Sequence, residues 1–217
     1  IDGISTVNMP VREATQHIRG ELDTEVIVTV KRADKIIDLL LIRAEVVVPN
    51  VRQKVLAENV GYVQIDHFSQ RTVDNLVGAL DQLREEGALS KGLVIDLREN
   101  TGGSMKEAAR AADQFLTEGM LLRTAGPDGD RVQNLQARMD AVNAGNELPI
   151  PVVVLVDEQT ASGAEILAGA LLELDRAALV GYTTYGKGTV QKIYNLDDDV
   201  RLKLTVAQYL LEGDRVI

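Results

Sequence analysis

The 217-residue chain has no cysteine, which excludes disulfides and thiol chemistry while fitting any compartment. Histidine occurs only twice, at His17 and His67, so a nucleophile served by a histidine base has little to draw on. Aromatic residues make up 3% of the chain, and a core must therefore come from Val, Leu, Ile and Ala. No apolar run approaches the roughly 18 residues that a membrane-spanning helix needs. The opening IDGISTVNMP has neither a charged n-region nor an apolar h-region and does not read as a signal peptide. Basic clusters are also missing. With a net charge of −10, nucleic acid is excluded as a partner, because phosphate neutralisation needs grouped Lys and Arg.

What is present is 45% hydrophobic and patterned for one sizeable domain with a small appendage. Residues 1–45 read as the appendage. VREATQHIR places Val11, Ala14 and Ile18 on one helical face, with Pro10 at a first helical position and Gly20 as a stop. EVIVTVKR and KIIDLLLIR then have strand length, joined by a turn at Ala33–Asp34. Val46–Asn59 reads as a connector.

From Gly61 the pattern alternates. YVQID, GLVIDLR, PVVVLVD and AALVG read as strands. The segments between them put Val73, Leu76, Leu80 and Leu83, then Met105, Ala108, Ala109, Ala112, Phe115 and Leu116, at helical spacing. This β-α-β-α-β-α-β order predicts an α/β fold with largely parallel central strands. Leu121–Pro149 reads as a surface excursion, with a weak helical stripe at Val132, Leu135, Met139 and Val142. TVQKIYNLDDDVRLKLTVAQYLL reads as a hairpin around Asp197–Asp199.

Two residues stand out for chemistry. Ser162 opens the apolar helix ASGAEILAGALLEL after strand PVVVLVD, where free N–H groups and the positive helix end favour a developing oxyanion. The same residues, Ser162 and Glu165, also fit a plain S-x-x-E capping box. Lys187 lies between Gly186 and Gly188. A lysine serves as a general base only if its pKa falls from about 10.4 toward neutrality, which apolar surroundings such as Tyr185, Val190 and Ile193 would favour. In DLRENTGGS, Gly102 and Gly103 can turn backbone N–H groups toward a substrate, while Ser104 and Glu107 form a second capping box. GYTTYGKG also matches the start of a phosphate loop over Gly181–Lys187. Gly188 stands where that loop needs Ser or Thr, and TVQKIYNL reads as strand where it needs helix. His67, Glu165, Asp157 and Asp197–Asp199 read as structural polar residues.

Taken together, DLRENTGG, TASGAEILAGAL and GKGTVQ resemble the carboxyl-terminal processing (tail-specific) proteases, serine peptidases of family S41 with a Ser–Lys dyad. The resemblance covers nearly the whole chain, including the 25-residue separation of Ser162 from Lys187. It implies a crotonase/ClpP-like α/β protease core over 46–217, preceded by a partial PDZ domain over 1–45 and missing sequence at both ends. By matching position, Ser162 is the nucleophile, Lys187 the general base and Gln191 the residue that orients it. Gly163 and one of Gly102 and Gly103 supply oxyanion N–H groups. Departures from the family pattern are Thr101, where Pro is usual, and Gly163 and Ala164, where Ala and Ser are frequent.

The resemblance further implies an endopeptidase acting near substrate C-termini, with no metal or other cofactor. Its partners are proteins or peptides with exposed C-termini, with a homo-oligomer and an adaptor or regulatory protein left open. The implied location is the periplasm or cell envelope. Two rival readings remain at this point: an inactive peptide- or partner-binding fragment of such a protease, and a nucleotide-binding protein using Gly181–Lys187.

Overall fold

The computed structural model describes residues 1–45, 49–126, 131–136, 149–196 and 200–217. The chain divides into two compact units, Ile1–Val48 and Pro49–Ile217. In the first, helix α1 (Val11–Ile18) precedes strands β1 (Glu25–Arg32) and β2 (Lys35–Ile42), which pair antiparallel around the two-residue turn Ala33–Asp34. Arg43 ties this unit together, donating from Nε to the Ile18 carbonyl at 2.8 Å and from Nη1 to the Glu25 carbonyl at 2.7 Å. The α1 stripe is poorly covered, Val11 and Ile18 being exposed and Ala14 half-buried, because one hairpin offers too little surface.

The second unit holds β3 (Val51–Leu56), β4 (Val60–Ile65), α2 (Thr72–Glu85), β5 (Gly92–Asp96), α3 (Met105–Asp113), β6 (Met120–Ala125) and β7 (Arg131–Gln136). They are followed by β8 (Val152–Val156), α4 (Gly163–Glu173), β9 (Ala178–Gly181), β10 (Thr189–Asn195) and β11 (Arg201–Leu210). One sheet has the order β3-β4-β5-β8-β9, parallel from β4 to β9, with β3 antiparallel at its edge. The expected alternation of strands and helices is thus realised. A second, antiparallel sheet has the order β10-β11-β6-β7.

The parallel strands carry apolar residues in register: Val63, Ile95 and Val154 are neighbours across β4, β5 and β8 and are fully enclosed. All four stripe residues of α2 are buried, as are Ala108, Ala109, Ala112 and Phe115 from the α3 segment. On α4 the apolar bulk comes from Ile166, Leu167 and Leu171, each with no exposed surface.

Three strands depart from the sequence reading. Val46–Asn59 contains β3, an edge strand of mixed polar and apolar residues (VRQKVL) whose pairing with β4, not its own pattern, makes it extended. The excursion Leu121–Pro149 begins with β6, whose Leu121 and Leu122 are buried in the core. Val132 and Leu135 sit in β7 and not in a helix, because β6 offers this segment a strand partner, Leu135 pairing with Leu122 and Val132 falling at an irregularity of the register. Met139, Val142 and the turn Asp197–Asp199 lie outside the described residues.

The carboxyl ends of β5 and β8 are stitched together. Leu97 N–H donates to Leu155 O at 2.9 Å, Thr160 Oγ1 to Leu97 O at 2.9 Å, and Ala161 N–H to Asn100 O at 3.0 Å. Asp157 accepts from the N–H groups of Glu99, Gln159 and Thr160 and from Thr160 Oγ1. Partial burial works against its ionised form, but these bonds prevail and hold its carboxyl below the ordinary aspartate value. Asp96 behaves alike: burial pushes it up, while Arg98 and the Tyr62 hydroxyl, at 2.6 Å, hold it down.

A folded value below the unfolded one stabilises the protein above the ordinary carboxylate range, and that stabilisation is lost as pH falls through the lowered value. Asp157→Asn should therefore flatten the fall in urea-unfolding free energy between about pH 5 and pH 3. An unchanged slope would show that Asp157 does not clamp these loops.

Candidate active site

Two loops leave the stitched strand ends side by side, the position at which open α/β sheets receive ligands. The loop after β5 carries Asn100, Gly102 and Gly103; the loop after β8 carries Ser162. Ser162 adopts φ 56° and ψ −115°, a conformation sparsely populated by non-glycine residues and held here by its neighbours. Its own N–H donates to Glu165 Oε2 at 2.7 Å, and α4 begins at the next residue.

The glycines fit against this turn with no room to spare. At Gly102 (φ +102°) an added Cβ would stand 2.7 Å from Ala161 O, 2.8 Å from Ser162 Cβ and 2.9 Å from Gly163 N. At Gly103 (φ +136°) it would collide with the carbonyl of Phe68, which bridges this loop: Phe68 N–H donates to Gly102 O and Ser104 N–H to Phe68 O, both at 2.9 Å. That bridge turns the Gly103 N–H away from Phe68, and a Cβ on Gly163 would lie 3.5 Å from Gly103 N. The Gly102 N–H is already committed to Asn100 Oδ1 at 2.8 Å. Among the described residues, neither the Gly103 nor the Gly163 N–H has a hydrogen-bond partner.

Lys187 reaches the same corner through the β9–β10 connection. Tyr185 N–H donates to Thr160 O at 3.0 Å, and the Lys187 N–H donates to Glu165 Oε2 at 2.8 Å. The Lys187 side chain is exposed, and so are Tyr185 and Ile193. Of the apolar surroundings expected from the sequence, Val190 is half-buried against the core while Tyr185 and Ile193 are not, Ile193 lying where β10 and β11 project as a two-stranded ribbon beyond β6. A cleft of about 780 Å³ is lined by Thr101, Ala161, Tyr185, Lys187, Gln191 and Lys203. Gln191 faces it just after a bulge: Val190 pairs with Ala207 but Gln191 with Thr205, so Val206 is an extra residue on β11. Strand β10 follows Gly188 immediately, so Gly181–Lys187 does not lead into a helix as a phosphate loop requires.

Two residues carry more than their motifs announce. Asn100, fully enclosed, donates from Nδ2 to Ile65 O and fixes the glycine loop through Oδ1. Only its place at a strand end, followed by glycines, marked it in the sequence. Glu165 fulfils its capping bond to Ser162, but it also reaches the lysine turn, which S-x-x-E spacing cannot reveal. Ser104 caps α3 by accepting from Glu107 N–H at 3.3 Å, but the Glu107 carboxylate takes Arg110 and the Val73 N–H and does not close the expected capping box. His67 is exposed, and its backbone carbonyl accepts from Asn50 and Thr72.

The architecture has relatives. Residues 59–217 match the model for peptidase family S41. The chain is similar to the carboxy-terminal processing protease CtpA of Bacillus subtilis strain 168, 38% identical over 97% of this chain and 44% of that protein. It is also similar to the carboxyl-terminal-processing protease of Picosynechococcus, 35% identical over 96% of this chain and 50% of that one. Among solved structures, the photosystem II D1 C-terminal processing protease superposes with a TM-score of 0.67 at 26% identity, covering 99% of this chain and 58% of that one. The chain thus spans about half the length of the relatives it matches. By family model, sequence and fold alike, it belongs to peptidase family S41, among the carboxy-terminal processing proteases.

Proposed function

We propose that this chain carries the catalytic residues of a serine endopeptidase that cleaves proteins near their C-termini. The observation that carries the reading is the pair of uncommitted N–H groups, Gly103 and Gly163, flanking the strained Ser162. Two such donors beside a nucleophile are what acyl transfer requires, because charge develops on the carbonyl oxygen only as the tetrahedral intermediate forms. Ser162 Oγ attacks the scissile carbonyl carbon and its proton passes to the amine of Lys187. Lys187 then returns the proton to the leaving amine, and an acyl-enzyme remains on Ser162. Water then gives a proton to the Lys187 amine as it attacks the ester carbonyl, and Lys187 returns that proton to Ser162 Oγ as the ester C–O bond breaks and the acid product leaves.

Gln191, on the cleft wall in β10 just beyond Lys187, orients the lysine. An extended substrate seated in the cleft would cover the exposed Lys187 side chain and exclude water around it. Of the two glycines in the loop after β5, Gly103 is the oxyanion donor, since the Gly102 N–H is spent on Asn100; Gly102 instead permits the close approach. The reading extends to residues 1–45 as part of a peptide-binding PDZ domain, and to a periplasmic or cell-envelope place of work.

Cleavage of an unfolded protein with a small apolar C-terminus tests the dyad. Ser162→Ala and Lys187→Ala should each lower kcat/KM by about 10⁴-fold or more; undiminished turnover in either variant removes that residue from the mechanism. Gly102→Ala, which sets a methyl group against Ser162 and Gly163, should lower kcat by about 10²–10³-fold, as loss of an oxyanion donor does. Wild-type kcat in that variant would mean that the glycine loop does not serve the reaction.

A further inference from the structure

We infer that Glu165 is a positioning residue that locks the turn of Ser162 to the turn of Lys187, so that nucleophile and base keep one separation. The inference rests on the dyad reading above. Glu165 is 4% exposed and accepts four hydrogen bonds. Oε2 takes the N–H of Ser162 at 2.7 Å and the N–H of Lys187 at 2.8 Å. Oε1 takes the Thr184 hydroxyl at 2.7 Å and the Gly186 N–H at 2.6 Å. An ionised carboxylate has about four lone-pair sites, and all are used.

A helix cap would need only the first of these bonds. The other three go to a segment about 20 residues away in the chain, and all three reach the short loop that carries the base. Among the described residues Glu165 forms no ion pair with the Lys187 ammonium, so it holds the lysine by its backbone and leaves the amine free to react. Charge-assisted bonds to backbone amides are short and directional, which suits a carboxylate whose work is to fix geometry. Misplacing a reacting group by about 1 Å can cost about 10²-fold in rate. Glu165 therefore acts on turnover without touching substrate.

The test uses the full chain and the same unfolded substrate. Glu165→Gln keeps the shape but replaces one acceptor oxygen by a donor that must face N–H groups. It should lower kcat by about 10- to 100-fold at unchanged KM. Thr184→Val, which removes one donor and keeps the volume, should lower kcat less, and should add nothing in the Glu165→Gln background, because it acts through Glu165. Glu165→Gln or, if that variant does not fold, Thr184→Val with wild-type kcat would overturn the inference, provided Ser162→Ala abolishes turnover. Turnover that survives Ser162→Ala sinks the dyad reading instead. Amide hydrogen exchange then decides on the lock alone. In Glu165→Gln, or failing that Thr184→Val, the Gly186 and Lys187 amides should lose protection together; loss confined to Ser162, or no loss, would reduce Glu165 to a cap.

Discussion

The parallel pairing of β5 with β8 is the constraint from which the site follows. Strands paired in this sense end at the same edge of the sheet, so the loops after Asp96 and Val156 must leave together. Bonds from Thr160 to Leu97 and from Ala161 to Asn100 turn that proximity into a shared ledge. The ledge holds Ser162 in a conformation that its own side chain disfavours, and the surrounding buried core of α3 and α4 supplies the free energy for it.

The polar groups at this edge follow one economy. Three polar side chains each make more than one bond: half-buried Asp157 gathers the start of its loop, buried Asn100 joins β4 to the glycine turn by donating to Ile65 O and accepting from Gly102 N–H, and buried Glu165 joins α4 to the segment before β10. A buried carboxylate or amide left with open sites would be costly, so saturating each one fixes the loops around it. The glycines complete the fit by absence of side chains. Gly102 and Gly103 let two backbones approach where any Cβ would force them apart.

Much of this was legible from residue patterns. The apolar periods of GLVIDLR, PVVVLVD and the α2 stripe report burial directly, and the structure buries them. Ser162 at a helix start and the glycine pair at a strand end were visible because turn chemistry is local. What escaped depends on pairing and tertiary contact. The strands β3, β6 and β7 owe their extension to pairing, β3 with β4 and β6 with β7 and β11, and a mixed string such as VRQKVL or RVQNLQ carries no period of its own. Glu165 was readable as a cap but not as a link to Thr184 and Gly186, because a spacing of three residues says nothing about a loop twenty residues on. The exposure of Lys187 was hidden for the same reason: tertiary packing decides which of Tyr185, Val190 and Ile193 turns to the core, and of these three only Val190 does.

The extra residue Val206 on β11 has a consequence for how this family member can vary. Because side chains alternate along a strand, one surplus residue is what sets which face of the ribbon Gln191 occupies relative to Ala207 and the core. Beyond Asn195 and Arg201 the hairpin can lengthen or shorten in matched pairs without disturbing that setting. A single insertion or deletion between Thr205 and Ala207 would instead invert the ribbon from Gln191 outward. The bulge thus behaves as a reading-frame marker for the cleft wall, separating a stretch of chain free to drift in length from one that is not.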